Sequence, residues 1–327
     1  MKSFAISKSE EGQTVFKFVK KVLPLAPLGF IEKLFRIRDV KVNARRVEKT
    51  RTLYEGDRVD IYVNDRQWKD FTEEKSEVRF SEYPEIVYED DNILVVDKPR
   101  GLLVHGDKSE KRITLTNMIL SYLHQKGEFR FDSEGFVPAL AHRIDRNTSG
   151  LVIFGKNVRA LQALENIFRE HSRIEKTYLA LVKGIVPEKG TIDKPLLKDR
   201  EKSLVKVVSE KNGGKSALTQ YNLLESFFWC SLVEIRILTG RTHQIRVHFA
   251  SVHHPLLGDD KYGDFKLNKE FSEKYSFHGQ FLHAFRIRFT EIDGYLSYLS
   301  GKEFSCRLDE KEQSIIDRLR LERGEKR

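Results

Sequence analysis

Apolar side chains at Val15, Phe18, Val19 and Val22 recur at helical spacing up to Pro24, and Ile31, Leu34 and Phe35 repeat the pattern after Pro27 and Gly29. Two short helices are predicted there, each with a stripe that needs a partner to bury it. From Asp39 to Asn43 the pattern changes to alternation, Asn43-Ala44 supplies a turn, and Glu55-Gly56-Asp57 leads into a strand from Arg58 to Val63. Residues 14–63 therefore read as a small α/β module. Residues 64–82, with Glu73, Glu74, Lys75 and Glu77 among them, read as a polar linker.

Beyond the linker, strand and helix patterns interleave over residues 83–300. Strands are predicted from Glu85 to Glu89, Asn92 to Asp97, Leu151 to Phe154, Tyr178 to Val182, Ser231 to Leu238 and Phe281 to Phe289. Leu115, Met118, Ile119, Tyr122 and Leu123 lie on one helical face, and Leu161, Leu164, Ile167 and Phe168 on another. Consecutive strands with period-two patterning favour an α+β fold with a mainly antiparallel mixed sheet over a doubly wound one. Residues 301–327 read as a charged tail.

Composition narrows the function classes. The chain has 327 residues, room for one large domain and a small one. Lys and Arg number 58 against 49 Asp and Glu, a formal charge of +9, which suits a polyanionic partner. Within the first module Arg36, Arg38, Lys41, Arg45 and Arg46 cluster with Asp39 as the one acid among them, a candidate phosphate-contacting face. Two distant cysteines, Cys230 and Cys306, exclude a disulfide scaffold or zinc ribbon and fit a reducing cytoplasm. No run is apolar enough for a signal peptide or membrane span. A phosphate-binding Gly-x-x-x-x-Gly-Lys loop is missing, which sets a nucleotide hydrolase aside. His243, His248, His253 and His254 invite a metal reading, but His243 and His248 are five apart, a spacing that shares neither a strand face nor a helix face.

The candidate chemistry centres on His142-Arg143-Ile144-Asp145-Arg146-Asn147-Thr148-Ser149-Gly150-Leu151, where one acid stands between two arginines before a strand. Neighbouring cations favour the carboxylate form, and the small polar residues that follow permit a short loop. Asp145 read alone is a structural salt-bridge partner more readily than a catalytic group. The stretch resembles the His-Arg-Leu-Asp-x-x-Thr-Ser-Gly-Leu signature of the pseudouridine synthases. Val95 to His105, Lys176 to Gly184, Thr239 to His248, His254 to Asp259 and Leu282-His283-Ala284 resemble further motifs of that family in the same order. Residues 14–63 resemble an S4-type RNA-binding domain through Val40-Lys41-Val42-Asn43 and Gly56-Asp57, with Asp39 where the family commonly has a left-handed glycine.

The resemblance implies a catalytic domain over residues 83–300 that isomerises uridine to pseudouridine, a reaction needing no metal, redox cofactor or energy source. It implies Asp145 as the catalytic carboxylate, Arg241 as its ion-pair partner, and Tyr178 against the uracil face, where it could also accept a proton. His142, Arg143 and Ile245 are implied as substrate contacts. Arg143 is either the side chain that fills the space left by a flipped base or a second partner of Asp145. The S4-like module and the looser match of Lys206-Val207-Val208 and Lys215 to Tyr221 point to the branch acting on large-subunit (23S) ribosomal RNA. A synthase for the helix 69 stem-loop or for tRNA, and a non-catalytic ribosome-assembly factor, are the competing expectations. A cytoplasmic monomer without cofactor, free of any membrane, completes the reading.

Overall fold

The computed structural model describes residues 1–72, 80–106, 110, 112–131, 135–199 and 204–325. Glu73, Glu74, Lys75 and Glu77 of the expected linker lie outside the described residues. The amino-terminal module is a four-stranded antiparallel sheet in the order Lys2–Ala5, Arg58–Ile61, Val40–Val42, Arg45–Arg46. Against it lie the helices Val15–Val22 and Leu28–Arg36, whose stripes bury Phe18, Val19, Ile31 and Leu34 with Val40, Val59 and Ile61.

Two segments correct the limits read from the sequence. Lys2–Ala5, ahead of the expected start at residue 14, is a strand because Lys2 to Ala5 pair with Ile61 to Arg58. Asp65–Phe71, read as linker, is a helix with an Asn64–Gln67 capping box, and its Trp68 and Phe71 pack on the module's core. The turn at Asn43-Ala44 forms with both residues left-handed, at φ 51° and 61°. Ahead of the Val40 strand the left-handed residue is Arg38, at φ 68°, rather than Asp39.

The large domain is built on a ten-stranded sheet. Its main path runs Lys189–Asp193, Leu218–Ser226, Cys230–Ile237, Ile174–Lys183, Leu282–Phe289, Ser149–Gly155, Ile93–Lys98, Glu85–Glu89, with Glu303–Ser305 and Ala139–Leu140 beside it. All neighbours are antiparallel except Leu282–Phe289 with Ser149–Gly155. The expected α+β class and mainly antiparallel mixed sheet are therefore what the chain forms.

Alternation sends Leu94, Val96, Val152 and Phe154 into one core and Ile93, Val95, Leu151 and Ile153 into another, so the central strands are covered on both faces. Tyr178 and the helix Gln244–Ser251 belong to the first face. The helix Val158–Arg169 covers the second. At the parallel pair Gly150 has φ 106°, and a Cβ there would stand 2.4 Å from Ala284 O. Only glycine lets the strand after Asp145 approach Leu282–Phe289 so closely.

The charged tail expected at 301–327, which from Leu308 onward reads as either a helix or a frayed end, contains a strand, Glu303–Ser305, and a sixteen-residue helix, Glu310–Glu325. Ile315, Ile316 and Leu319 bury against Leu181, Leu232, Phe271 and Tyr275. Four apolar residues among charges, Leu321 of them exposed, make little amphipathic signal, and the docking surface is what orders the segment.

Candidate active site

The Asp145 loop is fastened almost residue by residue. Lys98 is fully buried, and its Nζ donates to Pro99 O at 2.9 Å, Leu102 O at 3.0 Å and Arg146 O at 3.0 Å. Burial, with the Arg100 charge, pulls the Lys98 pKa down to about 7, yet three carbonyl acceptors match the three hydrogens of an ammonium. Arg100 Nη1 donates to Asn147 O at 2.6 Å and to Gln280 O at 2.6 Å, and Gln280 Nε2 donates to Thr148 Oγ1 at 3.1 Å. Ser149 Oγ meets His283 and Glu312 in the interior. The loop is thereby a rigid platform, although its own sequence of small polar residues would allow many conformations.

The flanking arginines do not pair with Asp145. Arg146 Nε donates to Gly101 O at 3.0 Å, and Arg143 is exposed, with no ion-pair partner among the described residues. The expected Arg241 partner is also displaced: Arg241 Nε donates to Ser216 O at 3.0 Å. Arg246 takes the place, with Nη1 2.8 Å from Asp145 Oδ2. Its Nε and Nη2 hold Asp259 Oδ2 and Oδ1 at 2.7 and 2.8 Å, and Nη2 reaches Asp260 at 3.1 Å. The reason is helical position. Arg241 precedes the helix Gln244–Ser251, whereas Arg246 is one turn into it, on an element with every side chain from Gln244 to Phe249 buried.

Burial opposes the Arg246 charge, but the carboxylates of Asp259 and Asp145 outweigh it and raise its pKa above the ordinary guanidinium value. For Asp259 burial acts upward, and Arg246 more than reverses it, leaving the carboxyl below its usual range. This fork recognition of one carboxylate by two nitrogens leaves Nη1 directed at Asp145. His243, left-handed at φ 52°, places Nε2 3.8 Å from Asp145 Oδ1 and Nδ1 2.8 Å from Tyr262 Oη. Val205 N donates to that same Tyr262 oxygen at 2.9 Å; with the phenol's own hydrogen on the His243 Nδ1 contact, the imidazole carries its hydrogen on Nε2, facing the aspartate.

An open cavity of about 830 Å³ lies over Asp145, large enough for a nucleotide. Its walls include Arg143, Asp145, Tyr178, Arg241, His243 and Arg246, so expected residues share one space with the unexpected His243 and Arg246. A smaller cavity of about 370 Å³ shares Lys198 and the Gly240-Arg241-Thr242 wall and adds Lys215. Tyr178 is buried at the floor, and burial together with the Asp145 charge raises its pKa above the normal phenol range. His142 also borders the cavity, but its ring stacks on Phe168 at 4.3 Å and Nε2 accepts from Ile153 N at 3.2 Å. Burial brings its pKa down to about 3, so it is a neutral, packed ring. Ile245, expected at the substrate, is instead in the core beneath the site.

Comparisons with known proteins identify this architecture. A model described as RNA pseudouridylate synthase matches residues 92–251, the span from the loop anchors through Asp145 and Tyr178 to Arg246. The ribosomal large subunit pseudouridine synthase C of Vibrio vulnificus is 33% identical over 323 residues, covering 97% of this chain and 96% of that protein. The chain belongs to the RNA pseudouridylate synthase family. The synthase C of Escherichia coli is 33% identical over 295 residues, 89% of each chain. An uncharacterized RNA pseudouridine synthase of Aquifex aeolicus is 37% identical over 262 residues, 77% of this chain and 78% of that protein. Among solved structures, human RNA pseudouridylate synthase domain containing 4 superposes with a TM-score of 0.57 at 25% identity, covering 72% of this chain and 92% of that one. The synthase is thus an isomerase whose Asp145, Arg246 and Tyr178 fall inside the family's shared region.

The RNA-facing residues expected in the amino-terminal module are distributed as a surface. Arg36, Arg38, Arg45 and Arg46 are exposed, while Lys41 is half-buried with Nζ 4.7 Å from the centre of the Tyr62 ring. The metal alternative meets occupied nitrogens: His248 Nδ1 and Nε2 lie 2.9 Å from Thr219 Oγ1 and 2.9 Å from Lys194 O.

Proposed function

We propose that this synthase isomerises specific uridines of large-subunit ribosomal RNA to pseudouridine, with Asp145 as the nucleophile. The observation that carries the reading is the Asp145 carboxylate, oriented by Arg246 at 2.8 Å beneath an open, cation-lined cavity. The Asp145 carboxylate bonds to C1′ as the N1–C1′ electron pair leaves with the uracil. The detached uracil anion turns while Tyr178 packs on its face, C5 attacks C1′ and expels the carboxylate, and the C5 proton then leaves as N1 gains one. Arg246 keeps the carboxylate aimed, and preorganised charge of this kind is commonly the largest contribution to a barrier's reduction. A stacked uridine reaches the cavity only after extrusion, and exposed Arg143 at the rim fills the vacated space with its planar guanidinium. The exposed arginines of the S4-like module grip phosphates and set salt-dependent affinity. The names of the Vibrio and Escherichia relatives, which cover nearly the whole chain, support a ribosomal RNA substrate.

Pseudouridine mapping in cells lacking the protein, with rescue by wild type and by Asp145→Asn, tests both halves. Loss of one or a few large-subunit sites, restored by wild type alone, is expected. Losses confined to tRNA would overturn the substrate, and full rescue by Asp145→Asn would overturn the nucleophile.

A further inference from the structure

Behind the Asp145 loop lies a buried polar cluster that the cavity chemistry does not use. Glu312, in the first turn of the carboxy-terminal helix, is 0% exposed. Its Oε1 is 2.8 Å from Ser149 Oγ, and its Oε2 is 3.7 Å from His283 Nδ1 and 3.3 Å from Asp309 N. Ser149 Oγ is also 2.9 Å from His283 Nδ1, and His283 Nε2 is 3.2 Å from Cys306 O.

These distances fix a proton count. Cys306 O can only accept; the Cys306 thiol, kept protonated by burial, stands 3.4 Å from the same nitrogen but also has Ala284 O at 3.5 Å for its hydrogen. A hydrogen on His283 Nε2 therefore satisfies the carbonyl, whereas a bare Nε2 would face it as a second acceptor. If the imidazole is neutral, its bare Nδ1 takes the Ser149 hydrogen, and Glu312 must then be protonated to donate to the serine oxygen. If the imidazole is doubly protonated, Nδ1–H donates to Ser149, whose own hydrogen goes to a Glu312 carboxylate. Both arrangements hold the same protons, one more than a neutral histidine plus a carboxylate. Without that proton, every placement leaves one buried contact with two acceptors facing each other, which costs a hydrogen bond and a desolvated polar group.

We propose that Glu312 is a positioning residue for the Asp145 loop: with His283 it retains one proton that completes the hydrogen bonds fixing Ser149, and the fastening loosens when that proton leaves. The inference rests on the catalytic role of the Asp145 loop proposed above. It also explains why a helix outside the family-matched region, 92–251, inserts a buried acid into the sheet. Burial raises the Glu312 pKa to about 7 and Asp309 adds to it, with Ser149 and Arg100 opposing. Burial lowers that of His283, so the neutral pair is favoured. Asp97, held up to about 6 by burial, faces His283 and is itself faced by Glu85. Lys98 is close enough to feel Glu312. Because these groups titrate nearby, the test compares variants that keep them all.

Glutamine at 312 can donate to Ser149 and accept from Asp309 N without an ionisable proton. The ratio of E312Q to wild-type kcat on an unmodified large-subunit RNA transcript is expected to rise about three- to tenfold between about pH 6 and about pH 8, the worth of one buried hydrogen bond. E312A and S149A lower kcat at both ends of that range. The thermal midpoint of E312Q should also gain on wild type as pH rises from the ordinary carboxyl value of 4.5 to about 7, then run level. A protonated-carboxyl infrared band present in wild type should be missing from E312Q. A flat kcat ratio with parallel midpoints, or an E312Q as impaired as E312A, overturns the proposal. If wild type does not turn over the transcript, the substrate assignment is what fails, and the midpoints and infrared band still decide Glu312.

Discussion

Arg246→Ala should be far more damaging than Arg241→Ala, although the two arginines stand five residues apart in one motif. Arg246 is 5% exposed and serves three carboxylates, Asp145, the 1% exposed Asp259 and the exposed Asp260. Truncating it leaves Asp259 with two backbone donors, Lys261 N at 2.9 Å and Tyr262 N at 3.0 Å, and no counter-charge. Stripping one partner from a buried ion pair costs about 3–5 kcal/mol, the range expected in chemical denaturation. Asp145 simultaneously loses its 2.8 Å aim, and removing one preorganised charged group lowers kcat about 10²–10³-fold. Arg241 gives up a single half-exposed bond to Ser216 O, a stability change within about 1 kcal/mol. Pairing Arg246→Ala with Asp259→Asn should recover part of the stability and none of the turnover, because the orphaned charge is neutralised while Asp145 stays unheld. Equal stability losses for Arg241→Ala and Arg246→Ala, with equal losses of turnover, would falsify the assignment of Arg246 as the carboxylate's anchor.

Tyr178→Phe should keep stability within about 0.5 kcal/mol, since the ring is the buried part, and its turnover separates stacking from proton transfer; full activity would remove the hydroxyl from the reaction. His142 is neutral in the fold with a pKa of about 3, below the ordinary 6.5. Its depressed value contributes stability that is present above pH 6.5 and lost as pH falls from there towards about 3, so His142→Phe should flatten the acid limb of a midpoint-against-pH curve. An unchanged limb would mean that other groups carry the acid sensitivity. Reversing Arg36, Arg38, Arg45 and Arg46 to glutamate should weaken RNA binding and flatten its salt dependence, the log–log slope falling by about one for each phosphate the module no longer grips. A slope equal to wild type would take the module's face out of the RNA interface.

The extent to which the site was legible differs from residue to residue. Asp145 and Tyr178 were readable because their chemistry lies within unbroken runs that the family shares, and both line one cavity. Arg246 and Asp259 stood inside such runs too, yet nothing local separates Arg246 from Arg241. The available signal was that a helix with no polar face, Gln244–Ser251, cannot carry a charge without a buried partner. Ile245 failed for the same reason in reverse, since its place on that helix turns it into the core. Lys2–Ala5 was too short to read, and the helix Glu310–Glu325 too evenly charged.

By itself the sequence determined the α+β class, the strands and helices whose periodicity is strong, an acid that lines the cavity and the family. Those depend on residues within a few positions of one another, where 3.6 or 2.0 spacing and motif order carry the information. Tertiary structure alone decided which cation holds Asp145, which residues pin its loop, and that the last helix reaches Ser149 with a buried acid. Such pairings join groups 101 and 163 positions apart, at Asp145–Arg246 and Ser149–Glu312. Their geometry follows from sheet register and helix phase, which no local pattern encodes, because register is settled only when the strands bury one another's faces.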